Sequence, residues 1–200
     1  MLKKIEFLAK KSHVRTFLQE VFEIRILKRH VTLAPNKTVL EIGCGKGTGT
    51  RLIKKYFHPD KTYGLDIDPK VIEAAKLKTK DKDIIFTVGD AAKLDFKDKM
   101  FDAVFDFGVI YHISNWKDSL REFKRVLKPG GLLILEELSI DTFEHSLGRL
   151  IRKFFDRPYK TMYRRDEFLE FLEKEGWRIA TKKILHPLSL EYFIVIAKKP

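Results

Sequence analysis

The chain predicts an α/β fold built on a doubly wound, mostly parallel sheet, and three observations carry that reading. Short apolar runs alternate with helix-period segments from residue 38 to residue 135, the pattern of strand–helix–strand crossovers. The first run, Val39-Leu40-Glu41-Ile42, passes straight into Gly43-Cys44-Gly45-Lys46-Gly47-Thr48-Gly49 and then into a helical pattern. Acidic residues end or closely follow the runs: Glu41, Asp66, Asp90, Asp106 and Glu136, at the edge where open α/β sheets collect ligands.

In chain order, residues 1–30 read as helix, because Val14, Phe17, Leu18, Val21 and Phe22 recur at three- and four-residue spacing among Lys10, Lys11, Arg15, Gln19 and Glu20. Such a helix packs on the core or closes over a site. Its basic face also suits a membrane surface, but Glu6, Glu20 and Glu23 dilute that face and favour packing. Pro35-Asn36 breaks the chain before a strand at 38–42. A helix at 51–57, a strand at 62–65 and a helix at 69–79 follow, the last with Asp68 as N-cap and Pro69 in its first position. Strands at 84–88 and 101–105 precede a helix at 116–127, which Lys128-Pro129-Gly130-Gly131 stops abruptly before a strand at 132–135. A helix at 166–175 stops at Gly176. One domain of 200 residues results: a helical cap (1–34), a core (35–136), an insertion (137–165) and a C-terminal helix with two strands (166–200).

The composition, 44% hydrophobic and 34% charged, is that of a soluble globular chain. One cysteine, Cys44, permits neither an internal disulfide nor a cysteine-built zinc site, and fits a reducing compartment. The apolar runs are strand-sized and no secretory leader pattern opens the chain, so the expectation is a cytoplasmic protein without a transmembrane segment. The net charge of +12 suits nucleic acid, an anionic membrane or an anionic substrate, or simply a lysine-rich solvated surface.

The glycine turn separates two ligand classes. A dinucleotide fingerprint needs G-x-G-x-x-G, but Thr48 or Thr50 falls on the third glycine position whichever glycine starts the frame. The residues spell E-x-G-x-G-x-G instead. This resembles motif I of the class I S-adenosylmethionine-dependent methyltransferases. Val88-Gly89-Asp90-Ala91 and Phe101-Asp102-Ala103-Val104-Phe105-Asp106 with Phe107-Gly108-Val109-Ile110-Tyr111-His112 resemble further motifs of that family. Arg125-Val126-Leu127-Lys128-Pro129-Gly130-Gly131 is similar to the signature of the branch holding quinone-biosynthesis and many small-molecule methyltransferases. The resemblance implies a three-layer sandwich around a mostly parallel seven-stranded sheet with an antiparallel last strand, an N-terminal helix and a helical lid after the fifth strand. It also implies S-adenosylmethionine as cofactor, S-adenosylhomocysteine as product, and no metal.

By that resemblance Asp66, some twenty residues past the glycine turn, holds the ribose hydroxyls, and Ile67 packs on the adenine face. Asp90 accepts the adenine amino group while the Ala91 amide reaches a ring nitrogen. Glu41, Gly43, Cys44, Gly45, Gly47 and Phe107 line the rest of the cofactor site. For Glu41 the plainer reading is a structural acceptor under the glycine turn. Tyr111 and His112 follow the fourth strand at the ligand edge and are the catalytic candidates, since imidazole is suited to take a proton from a phenol, enol or thiol; His112 as a loop cap is the alternative.

The expected acceptor is a small or lipid-like molecule, apolar and anionic. RNA is the alternative that the charge supports, although neither an Asn-Pro-Pro-Tyr motif nor a cysteine pair is present. A non-catalytic cofactor-binding partner protein is the third reading. Residues 137–165 are too long for a structureless connection. They carry Phe143, Leu147, Leu150, Ile151, Phe154 and Phe155 beside Arg149, Arg152, Lys153, Arg157, Lys160, Arg164 and Arg165. This is a substrate-choosing lid or, more plainly, a packed helix with solvated arginines.

Overall fold

The computed structural model describes residues 24–144, 149, 159, 161–185 and 191–200. Most of the expected N-terminal helix and most of the insertion, including Leu147, Leu150, Ile151, Arg152, Lys153, Phe154, Phe155, Arg157 and Lys160, lie outside the described residues.

A seven-stranded sheet runs in the order β3-β2-β1-β4-β5-β7-β6. Its elements are α1 (Arg25–Lys28), β1 (Thr38–Ile42), α2 (Thr48–Phe57), β2 (Lys61–Asp66), α3 (Pro69–Leu77), β3 (Ile84–Val88), β4 (Phe101–Phe107), α4 (Trp116–Val126), β5 (Leu127–Glu137), α5 (Arg165–Lys174), β6 (Arg178–Leu185) and β7 (Tyr192–Lys198). Short helical turns at Ile110–His112 and Ile140–Phe143 follow β4 and β5. The pairs β1–β2, β2–β3, β1–β4 and β4–β5 are parallel, and β7 is antiparallel to both β5 and β6. The chain steps outward from β1 to β3 and returns to β4 on β1's other side. This reversal opens a crevice at the carboxyl ends of β1 and β4.

Alternation along the strands creates the layers, because successive side chains point to opposite faces. Val39, Ala103, Phe105 and Ile134 pack with Leu27 of α1 and Leu52 and Ile53 of α2. Leu40, Val104, Leu133 and Leu135 pack with Leu120 and Phe123 of α4 and Phe168 and Leu172 of α5. Asp68 caps α3 as expected, accepting from the Lys70 amide at 2.8 Å. Helix α2 starts three residues before the expected position, since Gly47 in a left-handed conformation serves as its N-cap. Around the Pro-Gly-Gly stop, Leu127 pairs with Phe101 and Leu132 with Ala103. Residues 128–131 therefore bulge within β5, held by Gly130 and Gly131 bonding to Lys199, and the strand is longer than the apolar run.

The ends of the insertion are tied together. Ser139 and Thr142 form a reciprocal capping box, and the Ile140 amide donates to Tyr163 O at 3.1 Å. Arg164 pairs with Asp141 at 2.9 Å and Glu144 at 2.8 Å, and Arg165 pairs with Glu191. These two arginines are neutralised within the fold and add nothing to a free basic surface. Among the described residues no helix is long and apolar enough to cross a membrane.

Candidate active site

The glycine turn leaves β1 with Gly43 at φ 64° and Gly45 at φ 52°, conformations that side chains disfavour. Its glycines divide into two kinds. A Cβ at Gly43 would overlap the Val109 methyls, one at Gly47 the Phe86 ring, and one at Gly49 the Glu41 carboxyl. Those glycines are absent of side chains because protein already fills the space. At Gly45 a Cβ would meet nothing within 4 Å, so here the bare backbone faces open space. Helix α2 begins beside it with no side-chain cap, leaving its first amides to donate to an external partner.

Two acids brace this turn. Asp66, the last residue of β2, accepts the Gly45 amide at 2.9 Å through one oxygen and the Asp68 amide at 3.0 Å through the other, and each oxygen keeps acceptor capacity. Glu41 is buried below α2 and accepts the Thr50 hydroxyl. Burial raises its pKa to about 7, against the lowering effects of the Thr50 hydrogen bond and the Arg51 charge, with Asp66 adding to the rise. Cys44 is buried with Ile72, Ala75 and Phe86, and that burial, with Glu41 and Asp66 nearby, pushes its thiol up. It is held as a thiol and is no nucleophile.

Around Asp66 two apolar side chains stay in water: Ile67 is 71% exposed and Val88 50%. Both sit where β2 and β3 end, and folding leaves them without a partner of their own. Asp90 accepts the Ala92 amide at 2.8 Å and Ala91 is buried. Phe107 is buried in the layer shared with α1 and α2, its ring stacked on Phe105 at 6.2 Å.

On the other side of the crevice, the turn Ile110–His112 carries Tyr111 and His112 with ring centroids 3.9 Å apart, Tyr111 buried and His112 exposed. The sequence reading missed what holds this turn. Glu137 Oε1 accepts from the Val109 and Ile110 amides at 3.0 and 2.8 Å, and Oε2 from the Tyr111 amide at 3.2 Å and the Tyr163 hydroxyl at 2.8 Å. Asp106, whose side chain is buried inside β4, accepts the same Val109 and Ile110 amides at 3.0 and 3.3 Å. The only signal for Glu137 was an acidic residue following Glu136 at the end of an apolar run.

The residues present fit a nucleoside carrying a charged tail: a bare backbone at Gly45, an acceptor with spare lone pairs at Asp66, and exposed apolar side chains at Ile67 and Val88. Residues 40–135 match the family model described as "Methyltransferase domain". A 2-methyl-6-phytyl-1,4-hydroquinone methyltransferase of Synechocystis is 36% identical over 107 residues, 53% of this chain and 33% of that protein. A phthiotriol/phenolphthiotriol dimycocerosates methyltransferase of Mycobacterium ulcerans is 34% identical over 109 residues, 54% of this chain and 40% of that protein. The match thus spans well under half of these relatives. The fold is that of a SAM-dependent methyltransferase structure from Aquifex aeolicus, with a TM-score of 0.74, 21% identity, and 100% of this chain and 99% of that one covered. Residues 40–135 are thus similar to a methyltransferase domain, and the sheet around them has the fold of a SAM-dependent methyltransferase structure.

Proposed function

We propose that the protein transfers a methyl group from S-adenosylmethionine to a small or lipid-like acceptor. The observation that carries this reading is the open space over Gly45, flanked by Asp66 and by the exposed Ile67. When bound, the cofactor supplies an electrophilic methyl group on a sulfonium. The chain's task is then orientation in a water-poor crevice, and alignment alone is worth up to roughly 7–11 kcal/mol in transfers of this kind.

In this reading the bare backbone of the Gly43–Gly47 turn and Glu41 face the charged tail, Asp66 holds the ribose hydroxyls, Ile67 the adenine face, and Asp90 with the Ala91 amide the adenine edge. Phe107 supports the floor from within the core. Tyr111 shapes the acceptor side, and exposed His112 accepts a proton when the acceptor atom bears one. The relatives' printed acceptors, a phytyl hydroquinone and phthiotriol dimycocerosates, favour an apolar molecule that carries hydroxyl groups.

Calorimetry with S-adenosylhomocysteine tests the cofactor assignment. Asp66→Ala weakens binding by about 1–3 kcal/mol; binding of a nicotinamide dinucleotide with no heat from S-adenosylhomocysteine overturns it. Labelled-methyl transfer into quinol and lipid fractions tests the acceptor, and full turnover in His112→Ala removes that residue as base for the substrate used.

A second reading, methyl transfer to RNA, is favoured by one feature. A groove of about 260 Å³ between the outer side of α2 and the α3–β3 loop is lined by Arg51, Lys54, Lys55, Lys78 and Lys80 against Asp81. A salt-dependent shift of transfer RNA that Lys78→Glu/Lys80→Glu abolishes would move the assignment there.

A further inference from the structure

Asp106 and Glu137 enter from neighbouring parallel strands, with Asp106 paired to Leu135 and Phe107 to Glu136 in the β4–β5 register. Their buried carboxyl groups accept the same Val109 and Ile110 amides, which sets them side by side. Two carboxylates cannot make that contact without a proton between them, so the pair is a one-proton unit. Among the described residues, the elements packed against it offer no compensating cation. Ile42 of β1 pairs with Asp106 and Phe193 of β7 with Glu137, both apolar; the turn contributes Tyr111, and the chain after the insertion contributes Tyr163. Glu136 points to the opposite face of the sheet.

The hydrogen bonds assign the negative charge. Glu137 receives four donors: three consecutive backbone amides and the Tyr163 hydroxyl. Asp106 receives only shares of two of those amides. The charge therefore rests on Glu137 and the proton on Asp106, which donates it to Glu137. The three amides belong to the turn that carries Tyr111 and His112. The first of them is that of Val109, whose side chain lies so close to Gly43 that no Cβ fits there.

We propose that Asp106 and Glu137 are positioning residues whose single shared proton locks the Val109–Tyr111 turn, setting the acceptor side and, through Val109 on Gly43, the cofactor turn together. This inference rests on the methyltransferase reading of the crevice. Burial and mutual repulsion push Asp106 well above the usual carboxylate range, and burial raises Glu137 as well. The pair holds one proton between its two titrations: it takes up a second as pH falls through the lower one, and the lock is lost as pH rises through the upper, raised one.

Infrared spectroscopy of the whole protein, titrated upward from the point where Glu41 and ordinary carboxyls are ionised, reads the proton directly. The expected result is an un-ionised carboxyl band in the wild type that is missing from Asp106→Asn. No such band, or one that persists in Asp106→Asn, overturns the proposal.

Binding of S-adenosylhomocysteine reads the positioning. Asp106→Asn keeps a neutral donor to Glu137 but gives up one shared amide contact, and is expected to cost about threefold in affinity while removing its decline at high pH. Glu137→Gln turns an NH₂ toward amide donors and is expected to cost roughly tenfold. Equal effects of the two variants overturn the proposal. Tyr163→Phe, which deletes one donor to the same carboxylate, supplies the comparison if Glu137→Gln does not fold: a roughly threefold loss is expected, and none overturns it. If the wild type itself binds no S-adenosylhomocysteine, the functional reading fails, and the infrared comparison still decides the pair.

Discussion

Two aspartates stand at opposite ends of β4 and point to the same face of the sheet, yet they live in opposite chemistry. Asp102, at the amino edge, meets Lys128 at 2.8 Å, Lys37 at 2.9 Å and the Thr38 amide at 3.0 Å. Burial alone would raise it, but these partners override burial and hold it below the usual carboxylate range. Asp106, at the carboxyl edge, meets amides and a second carboxyl and is pushed up. Glu41, at the same edge in β1, is likewise raised, to about 7. The amino edge uses its acid as an ionised staple between β1, β4 and β5. The carboxyl edge keeps its acids poised over protons and backbone donors, which is where perturbed groups mark function.

The largest expected effect breaks the carboxyl edge itself. Gly43→Ala combines a left-handed φ with overlap on Val109 and should destabilise by about 4 kcal/mol in urea titration. Gly45→Ala has the same φ problem but open space. It should cost only about 1 kcal/mol of stability while lowering S-adenosylhomocysteine affinity roughly tenfold, because the new methyl enters the ligand's room. If both glycines behave alike, the division between filled and open positions is wrong.

Next comes Glu41. Its folded pKa of about 7 exceeds the unfolded 4.5, so its stabilising contribution is complete below about pH 4.5 and is lost as pH rises through about 7. The loss amounts to about 3 kcal/mol. Glu41→Gln keeps an acceptor for Thr50 and should be more stable than wild type at pH 8 by up to about that amount, with the difference vanishing near pH 4.5, while binding the cofactor more weakly. Urea midpoints at the two pH values, with calorimetry, check both halves.

Asp102→Asn should show the opposite sign. Its folded pKa is depressed, so its stabilisation is present above the unfolded value and lost as pH falls through the lower folded one. At neutral pH the substitution should cost about 1–2 kcal/mol, with S-adenosylhomocysteine affinity unchanged; a loss of affinity would erase the contrast between the edges. The smallest effect belongs to an exposed ion pair between α4 and α5. Lys117→Ala removes the exposed ion pair with Glu167 at 2.9 Å and should change stability by about 0–1 kcal/mol, a baseline for the other measurements.

What could be read from residues alone was local. The glycine turn announces itself because E-x-G-x-G-x-G needs no distant partner, and Asp68-Pro69 starts α3 by chemistry confined to one turn. The order of runs gave the parallel core, and the acids at the strand ends located the crevice, because a strand's end is also a position in the sequence. Tertiary structure decided what those acids do. β5 is buried on both faces, so no alternation in Leu132–Leu135 tells whether Glu136 or Glu137 faces Asp106; the β4–β5 register settles it. Tyr163 reaches Glu137 from 26 residues away, and Val109 fills the space over Gly43 from a different loop. Lys37 and Lys128, which turn Asp102 into a staple, come from two other segments. A carboxyl's charge depends on what the fold brings within a few ångströms of it, and that neighbourhood is a property of packing, which sequence spacing does not encode.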